Sequence, residues 1–217
     1  MTKSLDILAI QLTRTYADNF VFALLDGLLS SQTFTFSGTT LTAPLAHKLV
    51  VGSRIRFSTT AVLPTGVVAN TEYFVRTVPT ATTMTVSATI SGAAISLAAG
   101  SGVHTFTEQT LSAEDSIAVL VNHEISHPNY ARSTYTVGTC VASPANNDAR
   151  SSDQFRNITV TTGNPTLNYR HILLIRLGSL TTGNTTGDEH QLETEPAIQS
   201  IAALTTKAIL LRVRRSN

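Results

Sequence analysis

The sequence predicts a mainly β chain: two β-sandwich or barrel-like units with one N-terminal helix. Three observations predict it. First, from Thr33 to Glu108 short β-branched runs alternate with small turns, and no long helical pattern survives. Second, Gly52, Pro64-Thr65-Gly66, Pro79, Ser91-Gly92 and Gly100-Ser101-Gly102 punctuate that stretch, a turn every ten residues or so, as in a small antiparallel module. Third, Tyr16, Phe20, Leu24 and Leu28 recur every four residues just before it, with Val21 and Leu25 alongside. That spacing predicts a helix over Tyr16–Leu29, with Thr15 as N-cap, Asp18 three residues on and Gly27 weakening its end.

In chain order, Met1–Leu12 reads as an apolar arm, its Leu5–Leu12 part loosely alternating. The predicted helix follows. Within the module the expected strands are Val50–Phe57, Glu72–Val78, Met84–Ala88, Ala94–Leu97 and His104–Thr107. Beyond it, Ser116–Val121, Ser133–Val141, Phe155–Thr161, Tyr169–Leu177 and Lys207–Arg215 read as strands. Ser143–Asp148 and Thr181–Pro196 read as polar loops, and Ile198–Leu204 fits either state. The domains expected are residues 1–32 (arm and helix), 33–108 (β module) and 109–217 (second β domain). Packing of the arm on the second domain would make the module an insertion, a choice that chain order leaves open.

Composition narrows the function classes. Of 217 residues 42% are hydrophobic and only 13% charged, about half the usual charged share. Neutral hydroxyls fill the gap, which suits a surface covered by neighbours and equally a Thr-rich β protein with uncharged solvent faces. The net charge of +1 argues against a dedicated nucleic-acid binder. Cys140 is the single cysteine, so no intrachain disulfide forms, and folding in a reducing cytoplasm is compatible with that. Asp6, Gln11 and Arg14 interrupt any signal-peptide core, and no run of about 18 apolar residues reads as a membrane span. The absence of Trp and the 6% aromatic content give little support to a glycan-binding adhesin.

The sharpest chemical motif is His123-Glu124-Ile125-Ser126-His127, which matches H-E-x-x-H. On a helix this spacing places both imidazoles on one face to share Zn²⁺, with the carboxylate activating water. Pro128 disfavours helical geometry at His127, and His171, His190 and Glu193 offer third ligands in no recognisable spacing. A turn bearing two solvent-facing histidines is therefore the preferred reading, with no metal, cofactor or catalytic residue expected. Four carboxylates in Gly187–Pro196 (Asp188, Glu189, Glu193 and Glu195) read as a solvated acidic loop rather than a calcium site. Lys207, Arg212, Arg214 and Arg215 read as protection of an edge strand, and Cys140, between Val137 and Val141, as a buried inert thiol.

One resemblance spans about a third of the chain. It lies in Ala46-His47-x-Leu49-x-x-Gly52-x-Arg54-Ile55-x-Phe57, Leu63-Pro64-x-Gly66-Val67, Thr71-x-Tyr73-x-Val75 and Val103-His104-Thr105-Phe106. These positions resemble a β module that recurs in virion structural proteins of tailed bacteriophages; the chain departs at Lys48, where that family usually has Gly. The resemblance implies a structural role in a particle and no catalytic site. With the low charge, it leads to the expectation of a non-enzymatic capsid decoration or cement protein, assembled in the host cytoplasm and resident in the virion. Its expected partners are other virion proteins, foremost the major capsid protein, and copies of itself, as a trimer; neither a membrane nor a specific nucleic acid is expected. The alternatives are a tail, baseplate or fibre-associated protein and, from another class, a zinc metallopeptidase using His123, Glu124 and His127. The apolar stripe of the N-terminal helix is expected to be buried either by the second β domain or by a neighbouring subunit, and the arm before it to add a strand to an adjacent sheet, so that subunit contacts concentrate in the first 30 residues and the second β domain while the Thr33–Glu108 module projects outward.

Overall fold

The computed structural model describes residues 19–128, 130–136, 141–143, 148–150, 154–159, 167–187, 190–201, 206–211 and 214–216. The chain is mainly β and antiparallel. Its elements begin with β1 (Asn19–Leu25), β2 (Ser31–Ser37), β3 (Thr40–Thr42), β4 (Arg54–Thr59), β5 (Glu72–Thr80), β6 (Thr83–Ser87), β7 (His104–Glu108) and the short helix α1 (Ile117–Val121). They continue with β8 (Ser133–Thr136), β9 (Val141–Ser143), β10 (Asp148–Arg150), β11 (Gln154–Thr159), β12 (Leu167–Arg176), β13 (His190–Ile201), β14 (Thr206–Leu211) and β15 (Arg214–Ser216). Residues 27–123 form one compact unit, and the described residues before and after them form the other. The first unit is thus interposed in the sequence of the second. It is wider than the 33–108 expected, taking in residues 27–32 and 109–123.

The interposed unit is a closed barrel in the order β2-β3-β6-β5-β4-β7. Strict alternation builds it. Along β4, Ile55 and Phe57 are buried while Arg56 and Ser58 are exposed. Phe34, Leu41, Tyr73, Val75, Met84, Val86 and Phe106 are among the residues that join Ile55 and Phe57 in the core. The Phe57 ring lies 5.3 Å from both Phe34 and Tyr73, within the range of favourable tilted pairs. Closure leaves the barrel without a free strand edge. Pro79, expected as a break, lies inside β5 where the β5–β6 register slips between Thr77 and Thr80, a place where a missing N–H does no harm. Ala94–Leu97 is no strand; Leu97 makes a single bridge to Gly38.

The other unit contains a four-stranded sheet ordered β13-β12-β1-β8. β1 pairs with β12 on one edge, Phe20 to Arg176 through Leu25 to His171, and with β8 on the other. Two smaller pairings, β15-β10-β9 and β11-β14, also form.

The helix predicted over Tyr16–Leu29 is corrected to strand over Asn19–Leu25. Phe20 through Leu25 are all at most 2% exposed. An uninterrupted apolar run satisfies a four-residue period and every other period, so the helical spacing was incidental. The apolar stripe therefore needs no neighbouring subunit: Phe20 and Leu24 are buried in the chain's own fold, while Leu28 is exposed. Tyr16 lies outside the described residues. The strand expected over Ser116–Val121 is instead α1. Ser116 caps it, accepting the Val119 N–H, and Val119, Leu120 and Val121 are buried; cap and burial outweigh β-branching. The loop expected over Thr181–Pro196 gives way at His190 to β13. Lys207–Arg215 comprises β14, paired with β11, and β15, paired with β10, with 212–213 outside the described residues.

Candidate functional site

The H-E-x-x-H segment does not lie on a helix. α1 ends at Val121 with Asn122 as its C-cap, so His123 and Glu124 follow it. The division between the two units falls between these two residues, and each is engaged separately. His123 is 6% exposed, and its Nε2 lies 3.0 Å from Glu108 Oε1. The expected solvent-facing turn is thus corrected at His123: its imidazole is buried against a carboxylate. His127 is half-buried. Among the described residues, no group of three or more His, Cys, Asp or Glu is arranged to hold a metal ion.

Two carboxylates organise the polar interior. Glu108 continues the inward alternation of His104 and Phe106 on β7 and is itself buried. Its Oε1 meets His123 and its Oε2 accepts the Ser30 N–H at 2.9 Å, while the Glu108 N–H donates to the Ser30 carbonyl at 2.8 Å. One side chain thereby ties the start of the barrel unit to its end. In the other unit Glu124 holds Arg132 in a fork, Nε to Oε1 at 2.8 Å and Nη2 to Oε2 at 2.7 Å. Tyr130 donates its hydroxyl to Oε1 and Gly183 its N–H to Oε2. Both oxygens of Glu124 are therefore occupied by donors, which leaves no free carboxylate to activate water. Tyr130 also accepts the Leu24 N–H. Burial, then the neighbouring Glu124 charge, pushes its phenol well above the ordinary tyrosine value, so it stays a donor.

The residues of the recurrent β pattern lie within the barrel unit, and several of them anchor it. His47 is buried, and its Nδ1 accepts the Leu49 N–H at 3.0 Å. Arg54 grips Asp115 with two bonds (2.6 and 2.9 Å) and reaches Glu72 and the Thr110 carbonyl. The Asp115 hydrogen bond, above all, holds its guanidinium more firmly protonated. Gly66 has φ +101°, and a Cβ there would sit 2.6 Å from the Ser96 carbonyl oxygen, so only glycine fits. The Tyr73 hydroxyl accepts the Val68 N–H at 2.8 Å. At the departure from the pattern, Lys48 adopts φ +58°, a left-handed conformation that glycine takes without strain.

Among the described residues, the remaining candidates form no group of three metal-ligating side chains. His171 is buried on β12 with Nδ1 2.9 Å from Thr194 Oγ1. His190 and Glu193 lie on β13, in register with Ile175 and Ile172. Lys207 lies on β14, and Arg214 and Arg215 on β15. Asp188, Glu189, Cys140 and Arg212 fall outside the described residues. The two carboxylate hubs were missed from sequence, although period-2 alternation already placed Glu108 inside. No described helix is long and apolar enough to cross a membrane. Comparison of the chain with protein-family models, curated proteins and solved structures finds no match.

Proposed function

We propose that this chain is a non-enzymatic structural protein of a tailed-bacteriophage particle, foremost a capsid decoration or cement protein. In this role it stabilises the shell as a homo-oligomer, with a trimer favoured, against the major capsid protein. The observation that carries the proposal is the coherence of the resemblance. Its spaced residues, from His47 to Phe106, fall in one closed barrel and supply its turns, its Arg54 anchor and much of its core. The low charge supports a surface that meets protein neighbours. The metallopeptidase alternative is set aside, because His123 and Glu124 each serve a different buried pair.

Quantitative mass spectrometry of purified particles from the producing host tests the proposal. The chain is expected at a copy number comparable to that of the shell protein, and deletion of residues 1–12 is expected to abolish incorporation. A copy number matching the tail would move the role to the tail or baseplate. Failure of the chain to co-purify with particles at all would overturn the virion role.

A further inference from the structure

Strand directions bring two long loops and one turn to the same end of the barrel: residues 60–71 after β4, residues 88–103 before β7, and Gly38-Thr39 after β2. Ser30 and Glu108 lie at the opposite end. The loops are stitched to one another at this tip. Val62 and Ser101 exchange backbone hydrogen bonds of 3.1 and 2.9 Å, while Thr65 donates its N–H to the Ala98 carbonyl and Leu97 to the Gly38 carbonyl, each at 2.8 Å. Hydroxyls are engaged in the same way. Thr65 Oγ1 donates to the Ala98 carbonyl at 2.6 Å, Thr59 Oγ1 to the Ser101 carbonyl at 3.2 Å, and Thr60 Oγ1 accepts the Val103 N–H at 2.9 Å. Val62 and Val68 are nonetheless each 64% exposed, and Val103 is 52% exposed. Residues 57–71 and 77–107 contain no Asp, Glu, Lys or Arg. The unit's charged groups lie on β4 and β5 or toward the opposite end, where Arg54 meets Asp115.

We propose that this tip binds the same tip of a second copy of the chain. A face without charges cannot offset the desolvation of a charged partner. Ordinary protein surfaces carry both signs of charge, and nucleic acids and anionic membranes carry negative charge throughout. The tip of another copy carries none, so pairing two tips takes valine out of water on both sides and strands no ion. Bilayer hydrocarbon is a poor alternative, because irregular loops entering it would lose the water that their remaining backbone polar groups require. The contact is isologous, the same patch on both copies about a two-fold axis, and it closes at two. The loops are already hydrogen-bonded to each other, so pairing costs little ordering. A face made of three connections stands at the low end of interface sizes, which sets a modest affinity. The inference goes beyond the particle role and does not rest on it, since self-association is measured on the isolated chain.

Analytical ultracentrifugation of the purified full chain over a range from about 10 μM to about 1 mM tests the proposal. A monomer–dimer equilibrium with Kd inside about that range is expected, and it is expected to hold as salt is raised, because no ion pair contributes to it. The double substitution Val62→Glu and Val68→Glu sets like charges against each other across the contact. It is expected to weaken pairing by about tenfold or more with the thermal midpoint unchanged, since both sites are exposed. Leu45→Glu, at an equally exposed site in the loop between β3 and β4 at the opposite end, is expected to leave pairing as it was. Should the double variant misfold, Val103→Lys supplies the same comparison. A chain that stays monomeric at about 1 mM, pairing that survives the tip substitutions, or pairing lost with Leu45→Glu or with added salt would overturn the proposal. Flotation with phosphatidylcholine vesicles that the double variant abolishes would overturn it as well, by placing lipid at the tip.

Discussion

β4 in the barrel and β1 in the four-stranded sheet bury their residues by different rules. β4 alternates: Ile55 and Phe57 point inward while Arg56 and Ser58 face solvent. β1 does not alternate: Phe20, Val21, Phe22, Ala23, Leu24 and Leu25 are all buried. A barrel wall has one wet face and writes that face into its sequence. A central strand covered on both faces writes only that it is apolar. The charged interiors differ in parallel. Arg132 and Glu124 have side chains 0% and 2% exposed, whereas the barrel's Arg54 keeps 20% exposure beside Asp115 at 4%.

The sharpest break of this comparison is at the arginines. Arg132→Ala leaves Glu124 charged and unpaired, and is expected to cost about 3–5 kcal/mol in urea denaturation followed by circular dichroism. Arg54→Ala, with water able to reach the site, is expected to cost about 1–3 kcal/mol. Equal losses would show that the two interiors are not distinct. Next comes an alanine scan of both strands. In β4, losses of about 2–5 kcal/mol are expected at Ile55 and Phe57, and changes within about ±0.5 kcal/mol at Arg56 and Ser58. In β1, consecutive substitutions at Val21, Phe22 and Leu24 are each expected to destabilise by about 2–5 kcal/mol. An alternating profile in β1 would mean that one of its faces is wet.

Smaller effects refine the picture. His123→Ala removes the partner of Glu108 Oε1 and is expected to cost about 1–3 kcal/mol, rather than the near-zero effect of an exposed histidine. Elemental analysis of the same two proteins checks the chemistry: one zinc per chain, lost in the variant, would reinstate the peptidase. Lys48→Gly is expected to raise stability by about 1 kcal/mol by relieving the left-handed backbone, shown by a higher urea midpoint at unchanged slope. No gain there would mean that the Asn122 side-chain bond to the Lys48 carbonyl already depends on the strained turn.

Legibility follows the same division. The barrel could be read because turns and alternation agree: Glu72–Val78, Met84–Ala88 and His104–Thr107 lie within a residue or two of β5, β6 and β7. β1 was misread because a continuous apolar run has no period, and α1 because the β-branching of Ile117, Val119 and Val121 spoke louder than a serine cap. The hubs were hidden for another reason. Glu108 finds Ser30 78 positions away, and Glu124 finds Gly183 59 positions away; no local pattern records such pairings. The H-E-x-x-H letters were legible, but their environments were not: His123 meets Glu108, 15 positions before it, and Glu124 combines nearby Arg132 and Tyr130 with Gly183, 59 positions on.

The way each unit gathers its own ends has a genetic consequence. Ser30 and Glu108 are tied by two hydrogen bonds within the barrel unit. In the other unit, Leu25 and Glu124 form an antiparallel bridge, with the Ile125 N–H donating to the Leu24 carbonyl at 3.0 Å. Bridged residues of this kind lie only about 5 Å apart, a gap that a tight turn spans. A single recombination that gained or lost residues 27–123 would therefore leave both products with their ends already side by side. The barrel thus has the layout of a cassette set into the sequence of the other unit.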